Sequence, residues 1–256
     1  MKSLKPTLLL LILALSFSQC RKDRNSAKAN IQFETALAIN NGATSVSIGD
    51  TLVMNTGYDF NLKKFKLYLS NITLIGAEDQ VIRKIFLADV GDPLSGQFSK
   101  EIEIGNCSAV RLGFGLDPIQ NDKNPEDFPD EHPLSSYNQM YWTMLKYRFA
   151  IMEGRSDING ALNGDTTDIL NAYHPGLDSL YQVVEYPLDL KINENGNYRI
   201  RLSIMVDEIF SRGDGIDMRT EPQSHSEIGD SLNPGDFDIA RKFMENLSAS
   251  GRLEVL

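Results

Sequence analysis

Apolar and polar residues alternate with a period of two along much of this chain, the signature of strands that bury one face. The clearest stretch is residues 65–75, Phe-Lys-Leu-Tyr-Leu-Ser-Asn-Ile-Thr-Leu-Ile. Residues 81–90 resume the pattern after a turn at Gly76-Ala77-Glu78-Asp79; Ile102 and Ile104 continue it, and 110–116 follow. Upstream, Ile31-Gln32-Phe33 and Leu37-Ala38-Ile39 lead into Asn40-Asn41-Gly42. Asn-Gly between apolar stretches predicts a hairpin, because both residues accept positive φ. Further strands are predicted at 147–152, 181–190, 198–206 and 252–256. Many short strands broken by Gly, Pro, Asn and Asp predict an all-β domain, a sandwich or a barrel.

Two segments carry a helical period instead. Residues 135–145, after Pro133, predict a short turn of helix. Residues 236–247 predict a full one: Asp236 stands where a cap is needed, and Phe237, Ala240, Phe243, Met244 and Leu247 form one apolar stripe. Between the strands lie three long predicted loops, 117–134, 154–176 and 211–235. Loops of this length in a compact domain are often functional. The three histidines, His132, His174 and His225, fall in or at the edge of these loops, one to each.

The amino terminus follows a different pattern. Lys2 and Lys5 precede an apolar run at 8–15, and the segment closes on Phe17-Ser18-Gln19-Cys20. A basic start, a short apolar core and small residues at a cleavage point predict a secretory signal, and the run is too short to span a bilayer as a helix. Because the cleavage point abuts a cysteine, the expectation is a lipoprotein signal at 1–20 with lipidation of Cys20. A polar tether at 21–30 and a folded domain at 31–256 follow. The protein is then expected at the outer membrane, on its periplasmic face or at the cell surface, held to the membrane by lipid.

Composition narrows the chemistry. Hydrophobic residues make up 41% of the 256 residues and charged residues 23%, as in a globular domain. The formal net charge of −10, with no basic stripe, excludes nucleic acid as a partner, since a phosphate backbone demands clustered Lys and Arg. There are two cysteines. With Cys20 lipidated, Cys107 has no disulfide partner and is expected as a small buried residue on a strand.

Enzyme motifs are missing. The chain has no Gly-x-Ser-x-Gly elbow, phosphate-binding glycine loop, Cys-x-x-Cys or His-Glu-x-x-His. Asp207-Glu208 and the acidic run Glu126-Asp127, Asp130-Glu131 read as solvated charge. Asp157-Ile158-Asn159-Gly160 with Gly164-Asp165 fails the EF-hand register, and Arg212-Gly213-Asp214 carries no weight. A non-enzymatic protein is expected. No two histidines stand at a metal-binding spacing, so any shared metal site must be assembled by the fold. The single tryptophan, Trp142, sits among aromatics just after His132-Pro133-Leu134, in Met140-Tyr141-Trp142.

An ordered series of segments resembles the MbnP family of copper-associated bacterial envelope proteins. The series is Tyr68-Leu69-Ser70-Asn71-Ile72, Phe114-Gly115-Leu116-Asp117, Pro133-Leu134 through Met140-Tyr141-Trp142, Tyr147 to Glu153-Gly154, Tyr173-His174-Pro175-Gly176, and the loop with His225. The resemblance implies a β-sandwich, here with long loops and one short C-terminal helix, that binds copper through histidines. In some members a tryptophan is oxidised to kynurenine with help from a partner haem peroxidase. Carried over by position, His174 and His225 become the leading ligands, His132 a third, and Trp142 the modified or adjacent aromatic residue. Imidazole suits copper, and neighbouring aromatics exclude water. Met144 stands where many members carry a second tryptophan, and Glu34-Thr35 where many carry a first-strand histidine. The alternative is a metal-free binding or structural lipoprotein whose long loops contact a protein or glycan.

Overall fold

The computed structural model describes residues 27–54, 56–92, 95–157, 168–229 and 235–256. The expected signal at 1–20 with Cys20, most of the expected tether, and the 158–167 stretch weighed for calcium lie outside the described residues. The first half of the chain forms β1 (Lys28–Ile39), β2 (Thr44–Val46), β3 (Thr51–Val53), β4 (Asp59–Gly76), β5 (Gln80–Asp89), β6 (Gln97–Glu103) and β7 (Gly105–Phe114). There follow α1 (Pro118–Asn121), β8 (Tyr141–Trp142), β9 (Lys146–Tyr147), β10 (Ala150–Ser156), β11 (Ile169–Tyr173), β12 (Gln182–Ile192) and β13 (Asn197–Met205). The chain then forms α2 (Val206–Ser211), β14 (Gln223–Ser224), α3 (Phe237–Ala249) and β15 (Gly251–Val255).

The strands assemble into the β-sandwich. One sheet has the order β15-β13-β1-β2, with β6 also on β1; the other runs β12-β7-β4-β10-β11-β14, with β3 and β5 also on β4. β8 and β9 make a separate small hairpin. β1 and β13 pair in parallel from Asn30↔Asn197 to Ala38↔Met205, so the smaller sheet is mixed. Ile31 and Phe33 of β1, Ile200 and Leu202 of β13, Leu67 and Leu69 of β4, and Val110 and Leu112 of β7 all belong to one buried core. Phe33 meets Phe86 of β5 edge-on at 6.2 Å, a contact between the sheets.

Several predicted elements form as expected. Asn40, Asn41 and Gly42 all take positive φ, and β1 and β2 pair across them. Helix α3 buries Ala240, Phe243, Met244 and Leu247. Cys107 is buried on β7, where burial pushes its thiol pKa up and Sγ–H donates to Ala109 O at 3.2 Å.

Other expectations are corrected. Residues 135–145 hold a single 3-10 turn at Ser136–Asn138, closed by Gln139 at φ 57°, and the segment then enters the β8–β9 hairpin. The expected loop at 154–176 contains β11, and the one at 211–235 contains β14. β13 stops at Met205 and the chain turns straight into α2.

The segments that carried the family resemblance touch one another. Asn71 bends the long β4 at φ 50°, a conformation Asn tolerates, and the β4–β5 register shifts beside it. Its amide donates to Asp117 Oδ2 at 2.8 Å. Tyr68 donates to Pro133 O at 2.7 Å and meets Tyr147 edge-on at 6.0 Å. Gly115 sits at φ 95°, where a Cβ would lie 2.5 Å from the Phe149 ring. Of these motif residues, Tyr147 and Phe149 also reach the segment that follows His174, at Gly176 and Pro175.

Candidate metal centre

Two adjacent short strands bring the pair together. β11 and β14 run parallel for two positions, Ala172↔Gln223 and Tyr173↔Ser224, and the next residue on each is a histidine. His174 N donates to Ser224 O at 2.8 Å, extending the ladder. The two imidazole rings consequently meet edge-to-face, with centroids 5.2 Å apart at 75°.

The segment after His174 is locked. Phe149 N donates to Pro175 O at 2.6 Å, and Gly176 N donates to Ser226 Oγ at 3.0 Å. A Cβ on Gly176 would come within 2.8 Å of Tyr147 O, so a side chain there would push the two segments apart. Ser226 is buried at φ 60°, a conformation its contacts must hold. Below the pair, Tyr173 stacks on Phe243 of α3 at 5.2 Å and meets Phe210 of α2 at 5.3 Å. One aromatic cluster thus fixes β11, α2 and α3 together.

Each histidine has a carboxylate neighbour. Glu153 on β10 pairs opposite Ala172, and His174 lies two residues further along the same face. His174 Nε2 lies 2.9 Å from Glu153 Oε1. His174 is 9% exposed, and burial pulls its pKa below the usual histidine value; the Glu153 hydrogen bond opposes that shift, while the nearby Arg148 cation adds to it. Around the other ring, Asp236 Oδ2 accepts from His225 N at 2.7 Å and lies 3.8 Å from His225 Nδ1. Nδ1 of His174 and Nε2 of His225 have no hydrogen bond among the described residues.

Trp142 joins the pair, and His132 does not. The Trp142 ring meets His225 edge-to-face at 5.5 Å and is 36% exposed, on the hairpin of β8 and β9. His132 stacks on Phe128 at 4.2 Å, and its Nδ1 accepts from Leu134 N at 3.1 Å. No ring contact or hydrogen bond joins it to the other two. Burial and the Arg83 cation lower its pKa. The third expected ligand is therefore engaged elsewhere, by its own loop.

The donor chemistry fits copper in part. Two neighbouring imidazoles with unbonded ring nitrogens are donors that suit it, and carboxylates beside them are typical outer partners of metal-binding histidines. Among the described residues, no group of three or more His, Cys, Asp or Glu is arranged to hold a metal ion, so the chain supplies a two-histidine set. The sequence puts Arg148 on a predicted strand, Asp236 at a helix start and Glu153 at the end of the motif Tyr147 to Glu153-Gly154, with no sign that any of them meets a histidine. A charged glutamate ending the otherwise apolar run Phe149-Ala150-Ile151-Met152 was the available signal.

A family model described as MbnP matches residues 26–227. Among solved structures, MbnP from Methylosinus trichosporium is similar, with 15% sequence identity and a TM-score of 0.54, covering 89% of this chain and 99% of that one. No curated protein matches the sequence. With most of its length matched by the family model and its sandwich sharing that fold, the chain belongs to the MbnP family.

Proposed function

We propose that this protein is a non-enzymatic, lipid-anchored protein of the bacterial envelope that binds copper, or supports copper handling, through His174 and His225. Membership of a copper-associated family supports the reading. The observation that carries it is the parallel β11–β14 bridge, which sets two imidazoles 5.2 Å apart with Trp142 against one of them. Copper is the cargo, a redox-active ion that has to be captured outside the cytoplasm. His174 and His225 bind it, the Trp142 ring shields it from water, and lipidated Cys20 keeps the domain at the membrane. Trp142 is also the residue open to oxidation by a partner haem peroxidase, since its ring is part-exposed beside His225.

Metal analysis of the purified protein beside His174→Ala and His225→Ala tests the site. Both variants are expected to lose copper; unchanged copper in both removes the proposal. Peptide mapping of protein from native cells reads the state of Trp142, and an unmodified residue rules out that part. Cys20→Ala is expected to abolish labelling by a fatty-acid probe, and persistent labelling contradicts the anchor.

A second reading, metal-free docking of a protein partner, draws on the rim. Met144, in the hairpin turn beside Trp142, is 68% exposed, and Ile228, three residues after His225, is 78% exposed. Loss of partner binding on changing these two residues, with copper content unaltered, would favour it.

A further inference from the structure

On the copper reading above, we propose that Glu153 and Asp236 are positioning residues of the histidine pair. Glu153 presents Nδ1 of His174 as its donor atom, and Asp236 holds the backbone of His225 in place.

The Glu153 half rests on hydrogen-bond roles. A carboxylate only accepts, so at the 2.9 Å contact the proton sits on His174 Nε2, and the lone pair of the neutral ring is on Nδ1. The backbone aims Glu153 at this ring. The β10–β4 register shifts between Glu153 and Gly154, and bulges of this kind re-aim side chains. Gly154 cannot carry a side chain, because Asn61 O and the Phe60 ring fill the space a Cβ would need. The bulge and the hydrogen bond therefore work on the same side chain.

The Asp236 half rests on a cap left unmade. Asp117 at the start of α1 caps in the usual way, accepting from Gln120 N at 2.9 Å. Asp236 holds the equivalent position on the much longer α3 and makes no side-chain cap bond. Its two oxygens are given to the histidine loop instead: Oδ2 accepts from His225 N and Oδ1 from Glu227 N, both at 2.7 Å. Ser224 Oγ adds a bond to Asp236 O at 3.0 Å. The helix forgoes its cap, and the residues on both sides of the His225 side chain are pinned.

The test has two arms. Long-range proton–nitrogen NMR on the metal-free wild-type protein at neutral pH reads the His174 tautomer directly. The Nε2–H form is expected, and the Nδ1–H form overturns the Glu153 role. Competitive copper titration then compares wild type with Glu153→Leu, Glu153→Gln and Asp236→Ser. Loss of such outer partners commonly weakens metal binding about 10- to 100-fold, and that range is expected for Glu153→Leu and Asp236→Ser. Glu153→Gln, whose amide oxygen can still accept, is expected to recover most of the affinity. Asp236→Ser restores a helix cap, so helix content is expected to hold while affinity falls, which a merely structural role would not produce. Wild-type affinity in both Glu153→Leu and Asp236→Ser overturns the proposal and leaves the copper reading standing. No copper binding by the wild type overturns the copper reading, and the tautomer still decides the role of Glu153.

Discussion

Tyr68, Tyr147 and Tyr186 keep their phenol protons because burial penalises the phenolate, pushing all three pKa values above the ordinary tyrosine range. A group whose folded pKa is raised gives stability that is complete below its unfolded value of about 10 and is lost as pH rises toward the folded value. Denaturation midpoints are therefore expected to hold up to about pH 10 and fall above it; a flat profile through the alkaline range contradicts this. Backbone strain sets a second residue-scale expectation. Gly115→Ala forces a side chain into φ 95° and against the Phe149 ring, so a loss of about 1–3 kcal/mol is expected in chemical denaturation. Wild-type stability would mean that Phe149 moves aside freely. Residue chemistry of the first kind was partly legible in the sequence. Cys107 reads correctly as buried, whereas the carboxylate partners of the histidines do not, because a contact between distant segments leaves no mark on either one.

Helix α3 was legible and β11 was not, for one physical reason. The stripe Ala240, Phe243, Met244 and Leu247 repeats at the helical period and is buried as a unit. β11 reads Ile-Leu-Asn-Ala-Tyr, with Asn171 buried and Leu170 half exposed, so its pattern is the reverse of what a strand search seeks. Asn171 tolerates burial because its amide donates to Met218 O at 2.8 Å. The helical turn expected at 135–145 shrinks to the 3-10 turn at Ser136–Asn138 because Gln139 takes positive φ, which no helix interior permits. The legible helix and the illegible strand meet at Tyr173, where β11 stacks on α3 at 5.2 Å. Phe243→Ala removes that stacking partner. It is expected to cost about 3–5 kcal/mol in thermal or chemical unfolding and to weaken copper retention, since Tyr173 directly precedes His174. Lost stability with copper retention untouched would show that the cluster supports the fold alone.

At the scale of the whole molecule, the sandwich class followed from the period-two pattern, but the pairing of distant segments did not. β1 runs parallel to β13 near the other end of the chain, and a two-residue bridge between β11 and β14 assembles the candidate site. Neither has a periodic signature, because register between distant strands is set by the core and not by local sequence. The same bridge separates the histidines: His174 and His225 share one place with Trp142, while His132 is held by Phe128 and its own loop. X-ray absorption at the copper edge, on copper-loaded protein, tests this division most directly. The imidazole signature is expected to fall in His174→Ala and in His225→Ala and to be unchanged in His132→Ala. A full signature that survives the first two substitutions, or one that collapses in the third, would contradict it.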